Sequence, residues 1–224
     1  GRLNTSAVLD FSPDTRAVVF DFGGTLTRTL SPYSTWERMW LLAGYSIEDA
    51  GQLLKLFRAK RISHQEWCNR TCSKLREGGF THQHFLEVIA GIEPVGDLQD
   101  TLRALHEQGT VLYVVSGSVR EIIASVLGDS LGLLTEVKSN DILFDKDGLI
   151  AEIKGHPFDF EGKAHFIDRV VAELKCSPLE VLFVGNSLND TWASNSGART
   201  LCVNPAFVDF GNTHIWNDYI KEMK

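Results

Sequence analysis

Cysteine is scarce in this chain: four in 224 residues, none in a Cys-x-x-Cys pair. Cys68 and Cys72 stand four apart on a predicted helix, with Cys176 and Cys202 far away. A dense disulfide scaffold is excluded, and a zinc site has no convincing second pair of ligands. The thiols read as those of a reduced, cytoplasmic protein, and Cys68 and Cys72 as ordinary helix-face residues. Long apolar runs are missing too, so no segment reads as a membrane span. Gly1 to Asp10 lacks the basic-then-apolar order of a signal peptide. There is no basic excess: 22 Lys and Arg stand against 29 Asp and Glu, a net charge of −7. That argues against nucleic acid or an anionic membrane as the main partner. A small phosphorylated molecule stays open, because a bound cation outweighs net charge locally. Neither an internal repeat nor a low-complexity tract is present.

What is there suffices for one sizeable core plus a subdomain, with 43% of residues hydrophobic. Ala17-Val-Val-Phe20 reads as a buried parallel strand, with Asp21 at its end and Gly23-Gly24 allowing a sharp turn. Further strands are expected at Val111–Val115, ending in Ser116-Gly117-Ser118, at Val181–Val184, ending in Gly185–Asp190, and at Arg199–Val203. Ile142 to Ile153 reads as a hairpin turning at Asp147-Gly148. Helices are expected over Asp97–Gln108, Val119–Leu127 and Phe160–Leu174. Strands alternating with helices predict an α/β fold, a doubly wound and mostly parallel sheet.

Between the first and second strands, Ser31 to about Gly91 reads as helical. Ser31-Pro32 suits a helix start, Ser46 to Asp49 and Ser63 to Glu66 suit capping boxes, and Gly78-Gly79 breaks the run. Leu53, Leu54, Leu56 and Phe57 supply one apolar face. The expected division is a core of residues 13–29 and 93–224 with a helical cap of residues 30–92.

Three strand ends carry polar groups: Asp21, Ser116 and Asn186 to Asp190. In this architecture ligands bind at the carboxyl ends of strands. A carboxylate before a glycine turn and the Thr25 hydroxyl suits a nucleophile beside a metal-bound phosphate. Ser116 and the amides of Gly117 and Ser118 suit phosphoryl oxygens. Lys163, near a helix start, adds a cation where anions are favoured. The Asn186 amide and Asp190 carboxylate suit an oxygen shell for Mg²⁺.

The order Asp-x-x-Gly-Thr, apolar-Ser-Gly, Lys and Gly-x-Ser-x-Asn-Asp resembles the four motifs of the haloacid-dehalogenase-like superfamily. The helical insert and Asn140-Asp-Ile-Leu-Phe-Asp-Lys-Asp-Gly148 resemble its phosphoserine-phosphatase-like branch. The resemblance implies a hydrolase that uses Mg²⁺ and forms an aspartyl-phosphate at Asp21. It implies Asp21 and the Gly23 carbonyl on the metal, with Asn186 and Asp190 in or near its shell and Asn189 beside them. Thr25, Ser116, Gly117 and Lys163 would hold the phosphate of a small-molecule substrate. In the cap, Trp36, Arg58 and Arg61 are the weaker substrate candidates.

Three positions depart from the family pattern. Gly23 stands where its phosphatases carry a second Asp, the acid and base of the reaction. General acid–base help is worth about two to four orders of magnitude. Asn186 replaces a usual Asp, and a neutral amide holds Mg²⁺ more weakly. Leu30 replaces the Glu that reads the amine of phosphoserine, so that substrate is not carried over. Two alternatives therefore stand beside the phosphatase: a catalytically silent phosphate-binding homologue, and a dehalogenase or phosphonate-cleaving enzyme. For the latter Lys55, Lys60 and Lys74 are available in the insert, though nothing marks any of them.

Overall fold

The computed structural model describes residues 14–156, 161–186 and 193–203. Its strands are β1 (Ala17–Phe20), β2 (Val111–Val119), β3 (Glu136–Phe144), β4 (Ile150–Lys154), β5 (Val181–Gly185) and β6 (Arg199–Cys202). They form one sheet in the order β4-β3-β2-β1-β5-β6, parallel except for the β3–β4 hairpin. β1 is central, paired in register with β2 on one side and β5 on the other.

Period-two alternation divides the sheet's side chains between two cores. Val18, Phe20, Leu112, Val114, Leu182 and Val184 face one way, against α5 (Leu98–Glu107) and α6 (Arg120–Leu127). Ala17, Val19, Tyr113, Val115, Val181 and Phe183 face the other, against Phe166, Ile167 and Val170 of α7 (Glu161–Leu174). Burial on both faces is why these strands read as unbroken apolar runs.

Four helices lie between β1 and α5: α1 (Thr35–Leu42), α2 (Ile47–Arg58), α3 (His64–Glu77) and α4 (His82–Ala90). Their buried residues Met39, Trp40, Trp67, Leu75, Phe85 and Val88 join the first core without a break. Two antiparallel bridges pin the insert, Thr27 to Pro94 and Thr81 to Leu149.

The first inserted helix does not begin at Ser31-Pro32. Ser34 is its N-cap, because Glu37 completes a reciprocal box: the Ser34 Oγ accepts from the Glu37 amide and the Glu37 carboxylate from the Ser34 amide. Ser46 and Asp49 form the expected box. Ser63 caps α3, but Glu66 does not return the bond; it holds Arg70 at 2.7 Å, one turn on. The apolar face of α2 is only half-buried, with no residue fully enclosed.

The largest departure is in β2. It does not stop at Val115 but continues through Ser116-Gly117-Ser118, with a register shift against β3 between Val115 and Val119. Side chains replace the ladder there. The Asn140 amide donates to the Gly117 carbonyl at 2.8 Å, and the Ser118 amide to the Ser116 Oγ at 3.0 Å.

Candidate active site

At the C-terminal end of β1, the Asp21 amide donates to the Val184 carbonyl at 2.8 Å, and the chain then turns through Gly23 and Gly24. Gly24 has φ +77°, and a Cβ there would lie 2.1 Å from the Asn186 Nδ2. Only glycine lets the turn pass this close to Asn186. The Thr27 hydroxyl accepts from the Gly24 amide at 3.0 Å and so closes the turn.

Asp21 is 8% exposed and Lys163 1% exposed, with Lys163 Nζ 3.3 Å from the Asp21 carboxylate. The ammonium also stands 5.8 Å from the centre of the Phe183 ring. A buried lysine beside a carboxylate is costly to desolvate, so this pair is an investment of the fold in charge at one point.

A cavity of about 360 Å³ opens above this point, lined among others by Asp21, Gly23, Ser116, Gly117, Ser118 and Asn186. The structure thus brings together these six residues singled out in the sequence. Thr25 sits behind the wall, fully buried, with its hydroxyl directed to the Asn186 Oδ1 at 3.5 Å. Lys163 reaches the site at the Asp21 carboxylate. Asn189 and Asp190 lie outside the described residues. Gly23 is exposed, and a Cβ added there would meet nothing within 4 Å.

Trp36 of α1 lines the same cavity and donates from Nε1 to the Gly117 carbonyl at 3.2 Å. It also lines a second cavity of about 430 Å³, as does the exposed Arg58. Arg61 is exposed in the turn after α2 and lines neither cavity. Three other residues carry weight that sequence reasoning did not assign them. Asn140, 1% exposed, holds the Gly117 carbonyl while its Oδ1 takes the His156 amide and the His64 Nε2. His64 must therefore carry its proton on Nε2, because Asn140 offers only an oxygen there. Arg28 lines the first cavity and sits 3.6 Å from Glu93.

The sequence model described as haloacid dehalogenase-like hydrolase matches residues 15–196. The chain belongs to that family. No curated protein matches it. Among solved structures, the haloacid dehalogenase-like chain is similar to a substrate-bound phosphoserine phosphatase complex, at 16% identity and TM-score 0.68 over 93% of this chain and 96% of that one. It is also similar to a phosphoserine phosphatase solved as a phospho-aspartyl intermediate analogue, at 18% identity and TM-score 0.64, covering 84% and 86%. A third is the phosphoserine phosphatase of T. onnurineus, at 21% identity and TM-score 0.55, covering 91% and 95%. At these identities the likeness establishes the haloacid dehalogenase-like fold: a mostly parallel six-stranded sheet with seven α-helices among the described residues.

Metal chemistry is testable on the donor set. Asp21 and Asn186 bring a carboxylate and a side-chain carboxamide to one cavity, which the turn residue Gly23, with its carbonyl, also lines. These are hard oxygen donors, the kind Mg²⁺ takes, and no thiol or imidazole competes among the residues lining the cavity.

Proposed function

We propose that the protein is a Mg²⁺-dependent phosphatase of small phosphorylated molecules, working through an aspartyl-phosphate at Asp21. The observation that carries the reading is the buried Asp21–Lys163 contact at 3.3 Å, set at a strand end in the cavity that Ser116 and Gly117 also line. The helices of residues 30–92 act as its cap. Asp21, the Gly23 carbonyl, Asn186 and Asp190 would hold Mg²⁺, which when bound draws charge from phosphoryl oxygens.

In the first step an Asp21 oxygen attacks phosphorus and the ester P–O bond breaks, its electron pair leaving with the alcohol oxygen. Lys163 and the Ser116 hydroxyl offset the charge on the phosphoryl oxygens. In the second step water attacks phosphorus, releasing phosphate and restoring the carboxylate. Gly23 offers no proton in either step, so substrates with acidic leaving groups, acyl phosphates among them, turn over best. The partners are small phosphorylated molecules rather than nucleic acid or membranes, and the thiols fit a cytoplasmic location. No helix among the described residues is long and apolar enough to cross a membrane.

The bare Gly23 favours a second reading, a phosphate-binding homologue without turnover. Phosphate release from acetyl phosphate separates the two. The phosphatase requires release that stops with EDTA and in Asp21→Asn, with acid-quenched protein carrying one hydroxylamine-labile phosphate. Release that is equal in Asp21→Asn refutes it, and binding without release establishes the second reading.

A further inference from the structure

The second cavity, beside the first, has a wall of aromatic rings from three elements. Trp36 and Trp40 come from α1, Phe57 from α2, and His64 and Trp67 from α3, with Arg58 on the lining as well. The rings brace one another: Trp36 and Trp67 meet edge to face at 5.0 Å, and His64 stacks on Trp67 at 5.9 Å. The Asn140–His64 bond ties this wall to β3. The cavity shares Ser34, Trp36 and Gly117 with the Asp21 cavity, so the two are neighbours across one partition. Its volume of about 430 Å³ is well above that needed for one ring; an apolar void of roughly 150 Å³ already takes benzene.

We infer that this cavity is the leaving-group subsite of the proposed phosphatase, and that its ligand class is the phosphate monoester of a ring-borne, phenol-like hydroxyl. The inference rests on the phosphatase reading for the position of the phosphate. Two independent observations converge on it. Flat faces and edges of tryptophan recognise flat rings. The empty place at Gly23 removes the proton donor, and a phenol, with a pKa of about 10, departs as its anion where an alkyl alcohol, closer to the 15.7 of water, does not. A choline-like cation would also suit aromatic walls, but its alkyl hydroxyl needs the missing acid, and Arg58 repels it. Arg58 instead suits an acidic substituent on the ring. In the reaction Asp21 takes the phosphoryl group, the aryl–O–P bond breaks at phosphorus, and the aryloxide collects its proton from water.

Gly51 gives a clean probe. It lines the cavity in the interior of α2, and a Cβ added there meets nothing within 4 Å. Gly51→Leu puts bulk into the cavity while raising helix propensity, so the variant folds. The experiment compares phenyl phosphate, acetyl phosphate and glycerol phosphate on wild type and Gly51→Leu, and titrates phenyl phosphate against inorganic phosphate by tryptophan fluorescence on Asp21→Asn. The expected results are turnover of phenyl phosphate far above glycerol phosphate and a phenyl-over-acetyl ratio about tenfold lower in Gly51→Leu, the scale of a disturbed apolar pocket. Phenyl phosphate should also bind at least about tenfold tighter than inorganic phosphate, an advantage that Gly51→Leu removes. An unchanged ratio with acetyl phosphate still hydrolysed overturns the subsite and leaves the phosphatase standing. Ring-dependent binding without hydrolysis of any ester keeps the subsite and overturns the phosphatase. Equal binding of the two phosphates in both backgrounds overturns the subsite outright.

Discussion

Gly23→Asp tests how far the site is from a full acid–base machine. The added Cβ meets open space and the backbone at Gly23 has no left-handed φ, so an aspartate fits without strain. Losing glycine's freedom in the unfolded chain stabilises by about 0.4–1 kcal/mol where the fold accepts the side chain, so the variant should be no less stable than the parent. The new carboxyl stands two residues from Asp21 on the same cavity. Proximity to another carboxylate raises its pKa and favours the protonated form that a general acid needs. The lower end of acid–base contributions, about a hundredfold, corresponds to roughly 2.7 kcal/mol of barrier. The gain should be largest for glycerol phosphate, whose alkoxide most needs a proton, smaller for phenyl phosphate, and smallest for acetyl phosphate. The assay is steady-state kinetics on the three esters at saturating Mg²⁺, with Asp21→Asn as the blank. An equal gain on all three would mean that the carboxylate acts on water alone. No gain on any, in a protein with unchanged Tm, would refute the reading of Gly23 as the place of a missing acid and base.

Gly24→Ala combines a left-handed backbone with a Cβ 2.1 Å from Asn186, so a loss of at least about 2 kcal/mol and a Tm lower by about 4–8 °C are expected; an unchanged melt would contradict the close approach. Asn140→Ala removes a donor to Gly117 and the acceptor for His64 and the His156 amide, and should cost about 2–4 kcal/mol in urea unfolding while lowering turnover; a neutral result would dissolve the link between the insert and the Ser116 segment. Burial, with Cys72 nearby, pushes the Cys68 thiol up to about 12, so only about one in ten thousand is thiolate at pH 8. Iodoacetamide should label native Cys68 far more slowly than a free cysteine and faster as pH rises. The same sign means that this thiol favours the fold below about pH 9, the unfolded value, and that the contribution fades as pH rises above it. Labelling at the rate of a free thiol at pH 8 would show that the α3 face opens.

The sheet could be read from sequence because its central strands are covered on both faces and so carry continuous apolar runs. Helix starts at Ser46 and Ser63 were readable because capping is local, within three residues. The misread start at Ser31 has the same origin, since Ser31-Pro32 and Ser34 to Glu37 compete and only the second closes a reciprocal box. Glu66 was claimed by both Ser63 and Arg70, and an ion pair one turn away won. The continuation of β2 past Val115 was unreadable because it depends on Asn140, 23 residues away, supplying the bonds that the ladder drops. The aromatic cavity was equally hidden. Phe57 reads as part of an apolar helix face and Trp36 as a weaker substrate candidate, and only the fold of α1 to α3 puts both on one wall with Trp67.

The two donors on the Gly117 carbonyl, Trp36 from the insert and Asn140 from β3, have an electronic consequence for Ser116. A peptide unit is planar, so pinning the Gly117 oxygen on one side also aims the Ser118 N–H on the other. That N–H is polarised by the bonds its own carbonyl accepts, and it donates to the Ser116 Oγ. A hydroxyl that accepts from one side keeps its hydrogen off that side. The proton of Ser116 is thereby left for the cavity, its side of the oxygen chosen by a tryptophan and an asparagine that act on it through one peptide unit.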